Sequence, residues 1–249
     1  MRSTSRHDAA AHRDGWRHGS IGMTRAAGDD QRILDSWRRN AAPWIDAVRG
    51  HRIESRRLVT DRAIVDAVLD SSPRSLLDVG CGEGWLARAL SAEGIAVTGI
   101  DAIPALVAQA QAAGGGDFHV LSYEDLAAGR LKLTVDVAVC NFSLLGEASV
   151  ERLLGALPSL LATNGRVLIQ TLHPLLACGE APYRDGWREG SWAGCDAGFG
   201  DPAPWYFRTL ESWIRLVGDH GLRLRELREP LHPATGRPAS VIFVAQATD

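Results

Sequence analysis

The chain has 249 residues, of which 45% are hydrophobic and 23% charged, which suits a globular protein long enough for one α/β domain with a modest cap. Its formal net charge of −3 gives no electrostatic reason to expect a nucleic-acid partner, and the absence of an eighteen-residue apolar run argues against a membrane span. The four cysteines form neither a CxxC motif nor a cluster with histidines, so we predict no metal site.

The N-terminal part divides into a polar segment and a helical one. Residues 1–30 are polar and aperiodic, and we predict that they form a disordered tail. From Gln31 apolar residues recur every three to four positions, which predicts a helix that Pro43 kinks or splits. A second helix is predicted from about Ser55 to Leu69. We therefore expect a helical lid over residues 31–72.

The same N-terminal residues lack the apolar stretch of a secretory signal. Together with the scattered cysteines, this leads us to expect a cytoplasmic protein with reduced thiols.

From residue 73 onward, short apolar runs alternate with helical segments. The predicted strands are 75–79, 96–100, 118–121, 135–140 and 166–172, and the predicted helices are 84–92, 105–112, 147–161 and 210–220. Such alternation is typical of right-handed βαβ units in a doubly wound, mostly parallel sheet. Two further strands, Arg223–Leu227 and Ser240–Ala247, resemble an antiparallel closing pair. The prediction for residues 73–249 is therefore a Rossmann-like α/β domain with seven strands and an antiparallel final strand.

Residues 173–208 interrupt this alternation. The segment holds six glycines, four prolines, three tryptophans, two tyrosines and two phenylalanines. An irregular stretch of this length is uncommon in a compact domain and often forms a lid or a binding loop. We refer to residues 173–208 as the insertion and expect it to cover a binding site.

The most informative motif is the glycine-rich turn Asp78–Gly84, which follows the first predicted strand. A dinucleotide-binding GxGxxG fingerprint would need a third glycine at position 85, where the chain has Trp85. The observed spacing after an acidic residue resembles motif I of the class I methyltransferases that use S-adenosylmethionine (AdoMet). The alternative is that the glycine-rich turn serves only close packing and binds no ligand. The resemblance implies that Asp78 orients the cofactor region and that the amino-acid part of AdoMet lies against Gly80, Cys81 and Gly82.

The second predicted strand ends in Asp101, about twenty positions after the glycine turn. An acidic residue there can accept hydrogen bonds from both ribose hydroxyls, and the resemblance implies this role for Asp101 with Ala102 beside it. Asp101 could also cap the helix that follows, and the two roles are compatible.

Two further segments match the family less specifically. Many members carry an aspartate after the third strand, against the adenine amino group, whereas this chain has Ser122. The adenine contact is therefore left open among Ser122, Tyr123 and Glu124. After the fourth strand, the resemblance implies that Asn141 or Phe142 touches AdoMet.

Candidate acceptor residues lie after the fifth strand and in the insertion. His173 is predicted to face the cofactor cleft as a general base or substrate contact, with a structural role beside Pro174 as the alternative. In similar small-molecule methyltransferases, aromatic and basic residues open the helix after such an insertion. Tyr206 and Arg208 match this pattern, with Arg208 suited to an anion or, alternatively, paired near Glu211.

Aromatic side chains complete the predicted acceptor site. We expect Trp44, Tyr183 and Trp205 to contact a flat acceptor, although tryptophans also pack loops against sheets. From the basic run after the first helix, Arg56 is the candidate for the AdoMet carboxylate or an anionic acceptor. A solvated helix face is the alternative for this run.

The resemblance, which includes the quinone-biosynthesis enzymes, predicts an AdoMet-dependent methyltransferase. It would move a methyl group to an oxygen or nitrogen of a small aromatic or anionic molecule and release S-adenosylhomocysteine. Alternatives are an enzyme that uses AdoMet for alkyl transfer or cyclisation and a non-catalytic AdoMet-binding partner protein. We expect no nucleic-acid partner, because the (D/N)PP(Y/F/W) motif of DNA amino-methyltransferases is replaced by NFSL. We also expect no membrane partner. The oligomeric state is expected to be a monomer or homodimer.

Overall fold

The computed structural model describes residues 21–195 and 198–248, without the side chains of residues 21–27. Its helices are α1 Ile21–Arg49, α2 Asp61–Leu69, α3 Trp85–Ser91, α4 Pro104–Ala113, α5 Tyr123–Ala127, α6 Ala148–Ala156, α7 Pro174–Ala177 and α8 Leu210–Asp219. Its strands are β1 Ser75–Val79, β2 Ala96–Asp101, β3 Asp117–Val120, β4 Val135–Asn141, β5 Leu161–Leu172, β6 Gly186–Arg188, β7 Trp205–Phe207, β8 Leu222–Arg228 and β9 Ser240–Ala247.

Seven strands form one sheet in the order β3-β2-β1-β4-β5-β9-β8. The five strands from β3 to β5 are parallel, and β9 runs antiparallel to both of its neighbours. The predicted doubly wound fold with an antiparallel final strand is thus confirmed. Strand order reverses between β1 and β4, so the loops after these strands diverge and leave a crevice at the carboxyl edge of the sheet, where ligands of such folds bind.

Both faces of the sheet are buried, and side chains alternate between them along each strand. In β1, Leu77 and Val79 join the cluster that includes α6 and α8, whereas Leu76 packs with residues of α2 and α3 on the other face. A third, smaller cluster joins the inner face of α1 to α4 through Ala41, Ile103 and Leu106. This last contact places α1 across the carboxyl edge of the sheet.

The N-terminal boundary differs from the prediction. Residues 21–30, which were expected to be disordered, belong to α1, and residues 1–20 lie outside the described part of the chain. Pro43 lies inside α1 without ending it. A proline removes one helical hydrogen bond, and packing of the flanking Ala41 and Trp44 against α4 holds the helix together. The predicted helix over Ser55–Leu69 is present, although its first turn, Arg56–Thr60, is π-helical.

Several other elements were not predicted or were placed differently. The helix predicted over 147–161 ends at Ala156, and Pro158 lies in a 3-10 turn before β5, which begins at Leu161 rather than 166. The short helix α5 follows β3. The insertion contains α7 and the hairpin β6–β7. Within the described residues, no helix combines the length and apolar character needed to cross a membrane.

Candidate cofactor and acceptor site

A cavity of about 800 Å³ opens at the carboxyl edge of the sheet, within the size range of small-molecule sites. Its walls come from α1, from the loops after β1, β2, β3 and β4, and from the insertion. The predicted glycine turn and the predicted aromatic insertion therefore face the same space.

The glycine turn forms one end of the cavity floor. Gly80 and Gly82 both have positive φ, +77° and +57°, which favours glycine. A Cβ on Gly80 would overlap the side chain of Ser143, so the turn can pack against the loop after β4 only without one. The Gly80 and Cys81 backbone N–H groups donate to the Ile100 carbonyl at 2.8 and 2.9 Å. The turn is thus held against β2 while its bare backbone faces the cavity.

Asp101 lies on the cavity wall at the end of β2. Its Oδ2 accepts a hydrogen bond from the Gly82 N–H and its Oδ1 one from the Ile103 N–H, both at 2.9 Å. Burial raises the pKa of this carboxyl group. The same carboxylate therefore fixes the glycine turn and the start of α4, and neighbouring Ala102 also lines the cavity.

Asp78 lies behind the glycine turn and does not line the cavity. It is buried, and its Oδ2 has no hydrogen-bond partner. Burial, followed by repulsion from Asp101, raises the pKa of Asp78 to about 7. Its position suits support of the turn rather than direct contact with a ligand. Cys81, in contrast, lines the cavity, and burial raises the pKa of its thiol.

Ser122, Tyr123 and Glu124 line the cavity, but each is engaged with the protein. Ser122 forms a capping box with Asp125 at the start of α5. The Tyr123 hydroxyl donates to the Ser143 carbonyl at 2.9 Å, and Glu124 pairs with Arg152 at 3.1 Å. The three candidates for the adenine contact are therefore at the cavity, with their polar groups already bonded.

The end of β4 brings Asn141 and Phe142 to the cavity. The Asn141 Oδ1 is buried and has no hydrogen-bond partner, which leaves an acceptor that a ligand can satisfy. Phe142 has a φ of +53°, an unfavourable value for a bulky residue, and such strain is often found at functional sites.

Arg56 lies between the rings of Trp44 and Trp85, 5.5 and 4.7 Å from their centroids. Its Nε donates to Asp61 at 2.9 Å, whereas its Nη2 is buried without a partner. Arg56 is therefore not part of a solvated helix face. It presents an unused charged donor at the cavity.

The insertion is attached to α1 above the cavity. Asn40 is buried and exchanges two hydrogen bonds with the Gly200 backbone, at 2.7 and 2.9 Å. Beside this pair, the Trp192 ring makes an edge contact with Trp37, 5.5 Å between centroids. The N-terminal helix and the insertion thus close the cavity together.

Three predicted acceptor residues of the hairpin region, Trp205, Tyr206 and Arg208, line the cavity. Arg208 lies between the rings of Tyr206 and Trp213 and donates to the Gly146 and Glu147 carbonyls at 2.9 and 3.0 Å. These bonds attach the insertion to the loop after β4. Two of the Arg208 guanidinium nitrogens therefore have a structural role. The alternative pairing with Glu211 is not observed, because Glu211 pairs with Arg215.

The prediction that His173 faces the cleft is wrong. The residue is buried and does not line the cavity. Its Nδ1 accepts a hydrogen bond from the Leu175 N–H at 3.3 Å, and its Nε2 lies 2.7 Å from Glu229. Both ring nitrogens are therefore used at the start of α7, which matches the structural alternative.

Tyr183 is likewise outside the cavity, and its predicted acceptor contact needs the same correction. Its hydroxyl accepts a hydrogen bond from the Leu210 N–H at 3.0 Å, at the start of α8, and its ring packs edge-on against Phe207. Asp30, by contrast, lines the cavity but was placed in the predicted disordered tail.

Among the described residues, no cluster of three or more histidine, cysteine or acidic side chains could hold a metal ion.

Comparison with known proteins places this geometry in a family. A methyltransferase domain family model matches residues 51–227. A ubiquinone biosynthesis O-methyltransferase from Xanthomonas oryzae pv. oryzae is 34% identical over 114 residues, which cover 44% of this chain and 47% of the relative. The chain spans about half the length of the curated relatives it matches.

Solved structures share the fold over most of the chain. A 1,6-didemethyltoxoflavin-N1-methyltransferase from Burkholderia thailandensis, with bound S-adenosylhomocysteine, has a TM-score of 0.60 at 18% identity and covers 95% of this chain and 93% of its own. An S-adenosylmethionine-dependent methyltransferase from Mesorhizobium loti has a TM-score of 0.56 at 22% identity over 73% and 96%. The predicted methyltransferase family is confirmed, and the chain belongs to the methyltransferase domain family.

Proposed function

We propose that this chain transfers the methyl group of AdoMet to an oxygen or nitrogen of a small aromatic or anionic acceptor. The observation that carries the proposal is that two different sets of groups line one cavity. One set is the glycine turn with Asp101, and the other is an aromatic wall from α1 and the insertion. A cofactor and an acceptor can therefore meet in the same space.

The described residues fit AdoMet. The unpaired Arg56 Nη2 suits its carboxylate, and the unpaired Asn141 Oδ1 suits its ammonium group. The turn at Gly80 and Gly82 leaves backbone exposed for close approach, and Asp101 can accept hydrogen bonds from the ribose. Bound there, AdoMet supplies a methyl group activated by a positively charged sulfur.

The residues of the chain contribute orientation and exclusion of water. Correct alignment of two reactants can supply about 7–11 kcal/mol of the barrier. No histidine is among the described residues that line the cavity. Burial, followed by nearby Glu147, raises the pKa of Tyr206 to about 12, so its hydroxyl stays protonated, with its hydrogen bond made to Glu147. This favours a nucleophile that needs no strong base, such as an amine or an already ionised oxygen.

The character of the walls supports an aromatic acceptor. Trp37, Trp192 and Trp205 line the cavity and present flat apolar surface with few rotatable bonds. The names of the similar proteins include an O-methyltransferase and an N1-methyltransferase, and we keep both atoms in the proposal. Alkyl transfer, cyclisation or a non-catalytic partner role would use the same cofactor end.

Calorimetry with S-adenosylhomocysteine tests the cofactor half of the proposal. We expect Asp101→Ala to weaken binding by about 10- to 100-fold, because it removes charged hydrogen bonds to the ribose and to the glycine turn. Asp66→Ala, an exposed carboxylate paired with Arg62 on α2, is the matched control and should change nothing. Equal affinity of both variants would contradict the proposal.

A screen of phenols, carboxylic acids and heteroaromatic amines, read by a methyl mass shift, tests the acceptor half. Methylation of one of these compounds supports transfer to oxygen or nitrogen. A product that carries a larger alkyl group or a new ring would instead favour the alternative reactions.

A further inference from the structure

Helix α1 extends along the whole cavity. At one end Arg49 pairs with Glu83 of the glycine turn at 2.9 Å. One turn and a half earlier, Trp44 packs over Gly82. At the other end, the Asp30 carboxylate accepts a hydrogen bond from the Ser149 hydroxyl at 3.0 Å. The fourteen residues from Trp44 to Asp30 correspond to about 21 Å of helix.

Contacts of α1 with the opposite wall run in the same direction. Trp44 packs over Gly82, Ala41 packs with Ile103 and Leu106 next to Asp101, and Asp30 bonds Ser149. Ser122 also lines the cavity. If the amino-acid part of AdoMet lies at the glycine turn and the ribose at Asp101, the purine ring extends toward the end that contains Asp30. This placement rests on the proposed function.

At this far end, most polar side chains are already engaged. Ser122 bonds Asp125, the Tyr123 hydroxyl bonds the Ser143 carbonyl, and Glu124 pairs with Arg152. Asp30 lines the cavity, and its carboxylate accepts hydrogen bonds from two neutral donors, the hydroxyl and the backbone N–H of Ser149. Burial raises the pKa of Asp30 and Glu124 raises it further, whereas the Ser149 hydrogen bonds and Arg152 lower it.

We propose that Asp30 accepts a hydrogen bond from the exocyclic amino group of the AdoMet adenine and so selects adenosine over inosine. The adenine amino group is a donor, whereas hypoxanthine carries a carbonyl oxygen at the same position. A carboxylate accepts from the first and repels the second. The N-terminal helix, rather than the loop after β3, then supplies the group that identifies the base.

A purely structural role for Asp30 makes different predictions. The residue joins α1 to the start of α6, where the N-cap residue Glu147 makes no capping hydrogen bond with its side chain. Loss of that contact would weaken binding of any nucleoside ligand to a similar extent. The choice between adenine and hypoxanthine is therefore the decisive measurement.

The experiment compares S-adenosylhomocysteine with S-inosylhomocysteine by calorimetry on the full chain. The unaltered protein should bind the adenine compound about 10-fold or more tightly. Asp30→Ala should lower this ratio toward one. Asp30→Asn should raise affinity for the inosine compound, because its amide N–H can donate to the hypoxanthine oxygen. Asp35→Asn, on the same helix and paired with Arg38, is the control and should keep the ratio.

The results separate the two proposals. An unchanged ratio in both Asp30 variants would overturn the role of Asp30 while leaving the proposed function intact. Loss of selectivity in Glu124→Gln but not in Asp30→Ala would assign the base contact to α5 and also overturn it. If the unaltered protein binds neither compound, the proposed function itself fails.

Discussion

At the scale of single residues, Asp78 gives the clearest pH dependence. Its folded pKa of about 7 lies above the ordinary value of 3.8, because burial and Asp101 disfavour the charged form. Well below pH 3.8 the carboxyl group is protonated in both states. As the pH rises toward 7, only the unfolded chain ionises readily, so folded stability is lost across this window.

We therefore expect Asp78→Asn to remove this loss. Relative to the unaltered protein, the variant should gain up to about 4 kcal/mol of unfolding free energy between pH 4 and pH 8. Urea denaturation at both pH values, without ligand, measures the difference. If the difference in unfolding free energy between the two proteins stays constant with pH, Asp78 does not titrate in this range.

Gly80 and Gly94 allow a matched test of the glycine turn. Both have a positive φ, +77° and +84°, but a Cβ would overlap Ser143 at Gly80 and meet nothing within 4 Å at Gly94. Gly94→Ala should cost about 1–2 kcal/mol from backbone strain alone. Gly80→Ala should cost about 1–3 kcal/mol more because of the overlap, and it should also weaken S-adenosylhomocysteine binding. Chemical denaturation and calorimetry measure the two effects, and equal costs would refute the proposed overlap.

Residues whose role depends on local chain geometry could be predicted from the sequence. Asp101 and the glycines follow strands directly, and the carboxyl end of a parallel strand must face the crevice. His173 also follows a strand, yet its ring turns toward Glu229 because the next residues begin α7. Its partner is 56 positions away along the chain, so the local pattern around His173 does not contain the information that places its side chain.

At the scale of elements, the joint closure of α1 and the insertion depends on Asn40. Its side-chain amide satisfies both backbone groups of Gly200, and it is buried. Asn40→Ala should leave the Gly200 N–H without this partner and leave the carbonyl with the Trp192 indole N–H at 3.1 Å, so the insertion should open more often. We expect trypsin to cut at Arg184 or Arg188 about 10- to 30-fold faster, since the two part-buried hydrogen bonds together contribute about 2 kcal/mol.

Arg39→Ala provides the control for this measurement. Arg39 also joins α1 to the insertion, through an ion pair with Asp201, but the side chains of both residues are more than half exposed. Such surface pairs contribute little, so the cleavage rate should hardly change. Equal acceleration in the two variants would mean that Asn40 has no special role in closure.

The insertion shows which elements were beyond prediction. The main strands and helices have clear periodicity, and their predicted bounds agree with the structure within a few residues, except at the starts of α1 and β5 and at the end of α6. The hairpin β6–β7 has only three residues in each strand, with Trp187 opposite Tyr206. Contacts to α1 and to the loop after β4 hold it in place, so its structure depends on packing between distant segments rather than on its own pattern.

At the scale of the whole molecule, the alternation of strands and helices was sufficient to predict the sheet. The position of α1 was not predictable in the same way. Its apolar residues indicated a helix, but only the contacts with Ile103 and Leu106 show that it crosses the carboxyl edge of the sheet. That crossing brings Asp30 to a cavity whose glycine turn begins fifty residues later in the chain, at Gly80.

The strand order also constrains how the chain can fold. β8 is made before β9, but within the sheet it pairs only with β9, while β9 lies between β8 and β5. During synthesis, the five parallel strands can associate while β8 has no edge to join. The outer edge of β5 then stays open until β8 and β9 have both emerged and can add as a hairpin. Until that step, the buried residues Val241–Ala245 are absent from the core, and the open edge of β5 could pair with another chain.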